Sequence, residues 1–355
     1  MPPRWIRRLV LTPLIPLLTV VLFATLPISL IVAAVASTFL PGRWRALRVL
    51  TFALVYLVVD TAMLVWLFVL WVGSGFGRQL STPRWQQRHY DAMRRYLAVL
   101  VAAGRRVFRV GFDVDTDDLD FTREELEHPV LVFSRHAGPG DSFLLVHALL
   151  QARQQPRIVL KGALQWSPVI DTGLNRLPTG FVQRGAPPGT GTRMIRELAE
   201  GMGPRGALVL FPEGRNWTPS RRLLSIDALE AQGRHDEAEA AREMRHVLTP
   251  RTGGAIAALE GAPSANVAFV AHTGLEHLSS AVDLWRGMPV DADVAVKGWR
   301  VPRGEVPTAR AAQDAWLQWW WRRIDAWLLT QVGAEELPDA VVEAVTGQQA
   351  PPPTT

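Results

Sequence analysis

Hydrophobic positions divide the chain into a long apolar beginning and an alternating body. Residues 9–40 run for 32 positions without a charge, and 49–76 carry only Asp60. Each run is long enough to cross a bilayer, and the first is far longer than the apolar core of a secretory signal. Pro13, Pro16 and Pro27 interrupt the first run, so a kinked helix or a half-buried hairpin is expected rather than one straight rod. Pro41-Gly42 marks a turn between the runs. Asp60 reads as a satisfied polar contact between the two helices, with a functional acid as the competing reading.

Beyond the second run, Tyr90, Met93, Leu97 and Leu100 or Val101 recur at helical spacing, which predicts an amphipathic helix over 83–106. Short β-branched or apolar runs follow at Val107–Phe112, Val130–Phe133, Arg157–Leu160, Gly180–Val182, Ala207–Phe211, Val267–Val270 and Val294–Val296. Helical patterns at 142–153, 190–201 and 251–260 separate several of them. This alternation predicts an α/β fold with a mixed, largely parallel sheet flanked by helices, preceded by an N-terminal hydrophobic helical hairpin. Residues 220–249 lack a strand signal and read as a helical insertion. Thr308–Val332 is expected as a last helix. Its residues 316, 319/320, 323 and 327 follow helical spacing and read as packing, with an interfacial tryptophan belt as the alternative. The segmentation is thus 1–80 for the anchoring hairpin, 81–332 for the α/β domain and 333–355 for a disordered tail.

Charge sharpens this picture. Residues 1–110 carry 14 Arg against Asp60 and Asp91, a net of +12, and the remainder carries a net of −7. A basic N-terminal third on a mildly acidic body favours an anionic membrane surface over nucleic acid. Arginines flank both runs, so the positive-inside rule places the body on the cytoplasmic face of a membrane. The arginines between the runs (Arg43, Arg45 and Arg48) suit equally a hairpin that dips in and returns. The chain has no cysteine, which excludes disulfides and thiolate metal sites.

Candidate chemistry clusters where strands end. After the run to Phe133 comes Ser-Arg-His-Ala-Gly-Pro-Gly-Asp141-Ser142, with His136 and Asp141 five residues apart. An imidazole beside a carboxylate is suited to general-base work near neutral pH. The plain alternative is that Asp141 caps a helix starting at Ser142. A second strand runs into Phe211-Pro-Glu-Gly214, where one carboxylate, Glu213, is set between Pro and Gly. Basic residues follow at Arg215, Arg221 and Arg222. A third, Gly180-Phe-Val-Gln-Arg184, ends on an arginine, whose planar fork suits phosphate. Lys161 stands at another strand end. The glycine-rich 185–192 stretch lacks the lysine of a nucleotide-binding loop, no metal-ligand spacing is present, and no Gly-x-Ser-x-Gly nucleophile turn occurs.

Taken in order, His136-(four residues)-Asp141, Gly180-Phe-Val-Gln-Arg184 and Phe211-Pro-Glu-Gly214 resemble the successive motifs of the glycerolipid acyltransferases typified by 1-acylglycerol-3-phosphate acyltransferase. Lys161-Gly-Ala-Leu-Gln-Trp-Ser-Pro168 resembles that family's lysine-to-proline segment. Trp217-Thr218, then Val247-Leu-Thr-Pro-Arg251-Thr-Gly-Gly254, and the Trp316–Leu328 helix are similar to the branch with a long insert after the glutamate motif. The resemblance implies acyl transfer from a thioester (acyl-CoA or acyl carrier protein) to the hydroxyl of a lysophospholipid, with 1-acylglycerol-3-phosphate the foremost acceptor. It implies His136 as base, Asp141 as its orienting carboxylate, Arg184 on the acceptor phosphate, and Glu213 orienting the acceptor or a neighbouring arginine. Lys161, Gly214, Arg215 and Arg221 join as substrate contacts. N–H groups near Gly138, Gly140 or Gly214 are candidate oxyanion donors. No metal and no cofactor beyond the thioester co-substrate is expected.

Three positions depart from the family pattern. Arg135 stands where asparagine is usual, Arg215-Asn216 replaces Thr-Arg, and Val267-Ala-Phe-Val270 lacks the proline of the late strand. These leave open a membrane-anchored lipid-binding protein with an inactive acyltransferase-like domain, which intact His136, Asp141 and Glu213 oppose.

Overall fold

The computed structural model describes residues 1–115, 128–274, 276, 285–288 and 290–331, and the tail expected at 333–355 lies outside them. The chain forms two units: Met1–Gly111, Phe143–Pro188 and Val282–Ala292 in the first, Phe112–Ser142, Gly189–Ala281 and Asp293–Thr355 in the second.

In the first unit, the charge-free run is two helices, α1 (Arg4–Ala24) and α2 (Leu26–Phe39), followed by α3 (Arg45–Gly73). The break at Thr25 precedes Pro27, which sits in the first turn of α2, where a missing N–H is harmless. Pro13 and Pro16 are carried inside α1. The Thr19 hydroxyl lies 2.9 Å from that of Thr61 and 3.2 Å from the Leu57 carbonyl, so the polar contact between the two apolar runs is made there. Asp60 is fully buried but does not bridge those runs. It accepts the Tyr96 hydroxyl at 2.7 Å from the following helix, α4 (Pro83–Phe108). α4 buries Trp85, Tyr90, Met93 and Leu97 against Met63, Leu64, Leu67 and Leu70 of α3. Each such side chain contributes roughly 1.5–3 kcal/mol by leaving water. The strand expected from Val107 begins later, because Phe108 packs on Phe52 at 4.8 Å and holds α4 helical to that point. β1 therefore runs Val110–Asp115.

The second unit is built around β2 (Val130–Ser134), from which the chain passes into α5 (Pro139–Gln151) and on into the first unit. There β3 (Gln155–Lys161) pairs in parallel with β4 (Thr179–Val182), Lys161 opposite Val182, with α6 (Pro168–Gly173) between them. Back in the second unit come α7 (Thr190–Glu200) and β5 (Gly206–Leu210). β5 lies parallel to β2 on one side and β6 (Asn266–Thr273) on the other, with Phe133 opposite both Leu210 and Phe269. β7 (Ala292–Val301) runs antiparallel to β6, and β1 follows it at the edge. Every residue of β2 and β5 is buried, which is why both read as unbroken apolar runs. The fold is α/β, with a mixed, largely parallel sheet flanked by helices.

The 220–249 segment is helical only as far as Glu243: α8 (Pro219–Ala231) and α9 (His235–Glu243) close on Ile226, Leu229, Ala238 and Ala241. Residues 244–251 are not helical, because their main chain is drawn elsewhere. The Arg245 and His246 N–H groups go to Asp325, and that of Leu248 goes to Glu213. α10 (Thr252–Gly261) and α11 (Arg310–Gln331) complete the unit. Trp316, Trp320, Trp321 and Trp327 of α11 are buried, and Trp320 stacks on Phe269 at 4.3 Å. Their helical spacing served packing, as expected.

Candidate active site

β2 ends at Ser134, and the Arg135 N–H still bonds the Val270 carbonyl of β6. The backbone then turns through His136-Ala-Gly into α5. This helix starts at Pro139 rather than Ser142, so Asp141 sits inside its first turn. From there its Oδ2 reaches back to the N–H groups of Ala137 and Gly138 at 2.8 and 3.0 Å, in the manner of a capping-box acid. The same oxygen lies 2.9 Å from His136 Nδ1. The carboxylate therefore caps and orients at once. With Nδ1–H donating its hydrogen bond to Asp141, a neutral His136 presents Nε2 as the proton acceptor. Nε2 makes no hydrogen bond among the described residues. Burial alone would raise the Asp141 carboxyl, but the hydrogen bond and charge of His136, the charge of His272 and the Gly138 N–H hold it below its usual range.

The second strand end braces the first. Gly214 takes a left-handed conformation (φ +71°), so the chain folds sharply after Glu213. Glu213 is buried, accepting the His136 N–H at 3.0 Å on Oε1 and the Leu248 N–H at 3.0 Å on Oε2. Burial pushes its carboxyl up to about 8, against the Leu248 N–H, the Arg135 charge and the His136 N–H. The Trp217 N–H bonds the His136 carbonyl at 2.6 Å. Both main-chain polar groups of His136 are thus fixed by the glutamate segment, and the Phe211 ring lies 4.5 Å from its imidazole.

Arg135 is turned inward. Its guanidinium is fully buried, donates to the carbonyls of His246 (3.0 Å) and His272 (2.6 Å), pairs with Glu276, and lies over the Trp217 ring. His272, near the end of β6, was not singled out from sequence. Its Nε2 lies 3.1 Å from the Arg135 carbonyl and 3.6 Å from Asp141 Oδ2, so Asp141 sits between two imidazoles. Burial is the largest cause of a lowered His272 pKa. The only sequence signal was a polar pair, His272-Thr273, ending an apolar strand.

The expected cations are placed unevenly. Arg215 is exposed on the glutamate loop. Arg221 is held by Asn216, donating to its carbonyl at 3.0 Å and its side-chain oxygen at 2.7 Å, so one departure from the family pattern has an internal partner. Arg251, not singled out as a site residue, lies against Gly214, within 3.4–3.6 Å of where a Cβ would stand. Its N–H bonds the Pro212 carbonyl. Lys161 and Arg184 belong to the first unit, where both are exposed at the same end of the β3–β4 pair. Among the described residues no group of three His, Asp or Glu is arranged to hold a metal.

No curated protein and no solved structure matches the chain. The family model described as Acyltransferase matches residues 114–270, the stretch that contains His136, Asp141 and Glu213, so the core of this chain is similar to the acyltransferases.

Proposed function

We propose that the chain is a membrane-associated acyltransferase. It moves a fatty acyl group from acyl-CoA or acyl carrier protein to the hydroxyl of a lysophospholipid, with 1-acylglycerol-3-phosphate as acceptor and phosphatidic acid as product. Residues 1–80 anchor it, 81–332 carry the chemistry, and the active site faces the cytoplasm. The observation that carries this reading is the His136–Asp141 pair, with Nδ1 engaged at 2.9 Å and Nε2 left for a substrate proton.

In the reaction, Nε2 of His136 takes the acceptor's hydroxyl proton as that oxygen attacks the thioester carbonyl. Asp141 stabilises the imidazolium. The tetrahedral intermediate then expels the thiolate, which receives the proton from His136 Nε2. No enzyme nucleophile is needed. Of the three candidate oxyanion donors, the Gly138 N–H is spent on Asp141 and that of Gly214 on Phe211. That leaves Gly140, in the first turn of α5, where N–H groups lack intrahelical partners. Glu213 serves the reaction by holding His136 in place. Arg184 receives the acceptor phosphate, with Lys161, Arg215 and Arg221 as further anion contacts. No metal or further cofactor takes part.

The test is an acyl-transfer assay in membranes over a panel of lysophospholipids and both donors, with His136→Ala beside the native chain. Phosphatidic acid from the native chain alone is the expected result. Equal product from both removes His136 as the base, and product from neither leaves a lipid-binding protein.

A further inference from the structure

The peptide unit that joins Arg135 to His136 is clamped at both of its polar atoms. Its N–H goes to Glu213 Oε1 at 3.0 Å, from the loop after β5. Its carbonyl faces His272 Nε2 at 3.1 Å, from β6, and also accepts the Ser134 hydroxyl at 3.1 Å. His272 takes no proton in the reaction proposed above, yet it is buried where an apolar side chain would cost less.

The tautomer of the His272 ring follows from its neighbours. Both atoms that face Nε2, the Arg135 carbonyl oxygen and Asp141 Oδ2 at 3.6 Å, are acceptors, so Nε2 carries the hydrogen. At that distance the carboxylate is outside hydrogen-bond range, but it lies at the positive end of the N–H dipole. Nδ1 is buried without a hydrogen-bond partner among the described residues, so a proton there would be a stranded donor. It would also add a second buried cation beside the Arg135 guanidinium, which donates to the His272 carbonyl at 2.6 Å. The charged groups acting on the ring are Asp141, Arg135 and Glu276, and burial outweighs the two acids to hold its pKa below the ordinary histidine value. Across the pairing with β7 its partner is Val296, which is apolar. His272 is therefore a neutral donor near neutral pH.

Arg135 and His272 grip each other, ring to carbonyl in one direction and guanidinium to carbonyl in the other. The register of β2 against β6, with Ser134 opposite Val270, brings both residues just past the paired strands and beside the His136 turn.

We infer that His272 is a positioning residue of the acyl-transfer site. Its Nε2–H fixes the carbonyl of the same peptide whose N–H Glu213 holds, and so sets the direction in which His136 leaves β2. The same N–H turns its positive end to Asp141 without cancelling the carboxylate charge that the imidazolium of His136 needs. A cation in its place would oppose that imidazolium. The inference rests on the acyl-transfer reading above.

The test compares acyl transfer by the full chain in membranes for the native protein, His272→Leu and His272→Gln over a series of pH values. The glutamine amide nitrogen stands as many bonds from the main chain as histidine Nε2 and still donates to the Arg135 carbonyl, whereas leucine has no donor. His272→Leu is expected to lower kcat about tenfold, the upper worth of one neutral hydrogen bond, with KM for both substrates unchanged. The acid limb of its kcat/KM profile moves up in pH, because the carboxylate beside His136 has lost a donor and favours the imidazolium more. His272→Gln recovers part of the loss and returns the limb toward its native position. A leucine variant with native kcat and a native limb overturns the inference, as does a glutamine variant as impaired as the leucine one. NMR of isotopically labelled histidines in the detergent-solubilised chain reads the ring directly and decides the matter if the leucine variant does not fold. A neutral His272 ring protonated on Nε2 is expected near neutral pH, and one protonated on Nδ1 overturns the inference. The same spectra separate the two readings if even the native protein transfers no acyl group. A His136 titration midpoint that rises in His272→Leu then keeps the clamp and sinks the acyltransferase, and an unmoved midpoint sinks the clamp.

Discussion

Glu213 accepts the main-chain N–H of His136 at 3.0 Å, and its other oxygen accepts that of Leu248 at the same distance. One buried carboxylate thereby fixes the candidate base to a segment more than 100 residues later. Glu213→Ala leaves two buried donors unpaired, at roughly 1–3 kcal/mol each. Chemical denaturation is expected to show that loss together with loss of acyl transfer. The pH dependence has a definite sign. With the folded pKa raised from 4.5 to about 8, the unfolded chain gives up this proton first as pH rises. Stability attributable to Glu213 therefore falls between about pH 4.5 and 8, at no more than about 1.4 kcal/mol per unit. Melting curves of the native chain against Glu213→Gln across that window check it. An identical pH slope in both would refute the assignment.

Asp141→Asn separates orientation from helix capping. The amide oxygen can still accept the Ala137 and Gly138 N–H groups, which now meet Oδ2. In that orientation the amide still lacks the negative charge that stabilises the imidazolium forming at His136. The expected outcome is a fall in kcat on the order of 10²–10⁴-fold with little change in melting temperature. A variant that unfolds, or one whose kcat is unchanged, contradicts the double role given to this carboxylate.

Much of this arrangement was legible in the sequence, and the parts that were not share a cause. β2 and β5 announced themselves because they are buried on both faces, and His136, Asp141 and Glu213 follow directly from where those runs stop. β7 was seen only at 294–296, although it spans Ala292–Val301. Its outer half alternates Lys297, Gly298, Trp299 and Arg300, which hides a strand pairing with β6 from one side. Asp60 was placed against the wrong helix because its partner, Tyr96, lies on the amphipathic helix after the hairpin. His272 and the inward turn of Arg135 depend on β6 lying beside β2. That is a register fact, and no local pattern carries it.

Arg135 illustrates the last point and yields a third prediction. As a departure from the asparagine usual in the family it looked like a mark of lost activity, yet its guanidinium holds two carbonyls and Glu276 together behind the His136 loop. Arg135→Asn, although it restores the usual residue, strands Glu276 and the His246 and His272 carbonyls. It is expected to destabilise the chain by about 3 kcal/mol. A double-mutant cycle with Glu276→Gln, read by denaturation, should show coupling of Arg135 to Glu276. Additive effects of the two changes would mean that the pair contributes nothing as a pair.

Asp171 is to the hairpin what Glu213 is to His136. It is buried beside Arg7, accepts Arg8 as well, and receives Asn175 Nδ2 at 3.1 Å. Asp171→Ala leaves Arg7, itself buried, without its counter-charge, and breaking a buried pair from one side costs about 3–5 kcal/mol. The penalty should fall on the docking of α1, since α3 keeps its own packing against α4 through Leu67, Leu70, Met93 and Leu97. Limited proteolysis of detergent-solubilised protein is therefore expected to cut within residues 1–25 of the variant while the 45–108 helix pair stays protected. The double change Arg7→Leu, Asp171→Leu replaces the buried charges by apolar groups and should restore protection. If the double variant is cut as readily as Asp171→Ala, the contact is held by something other than this ion pair.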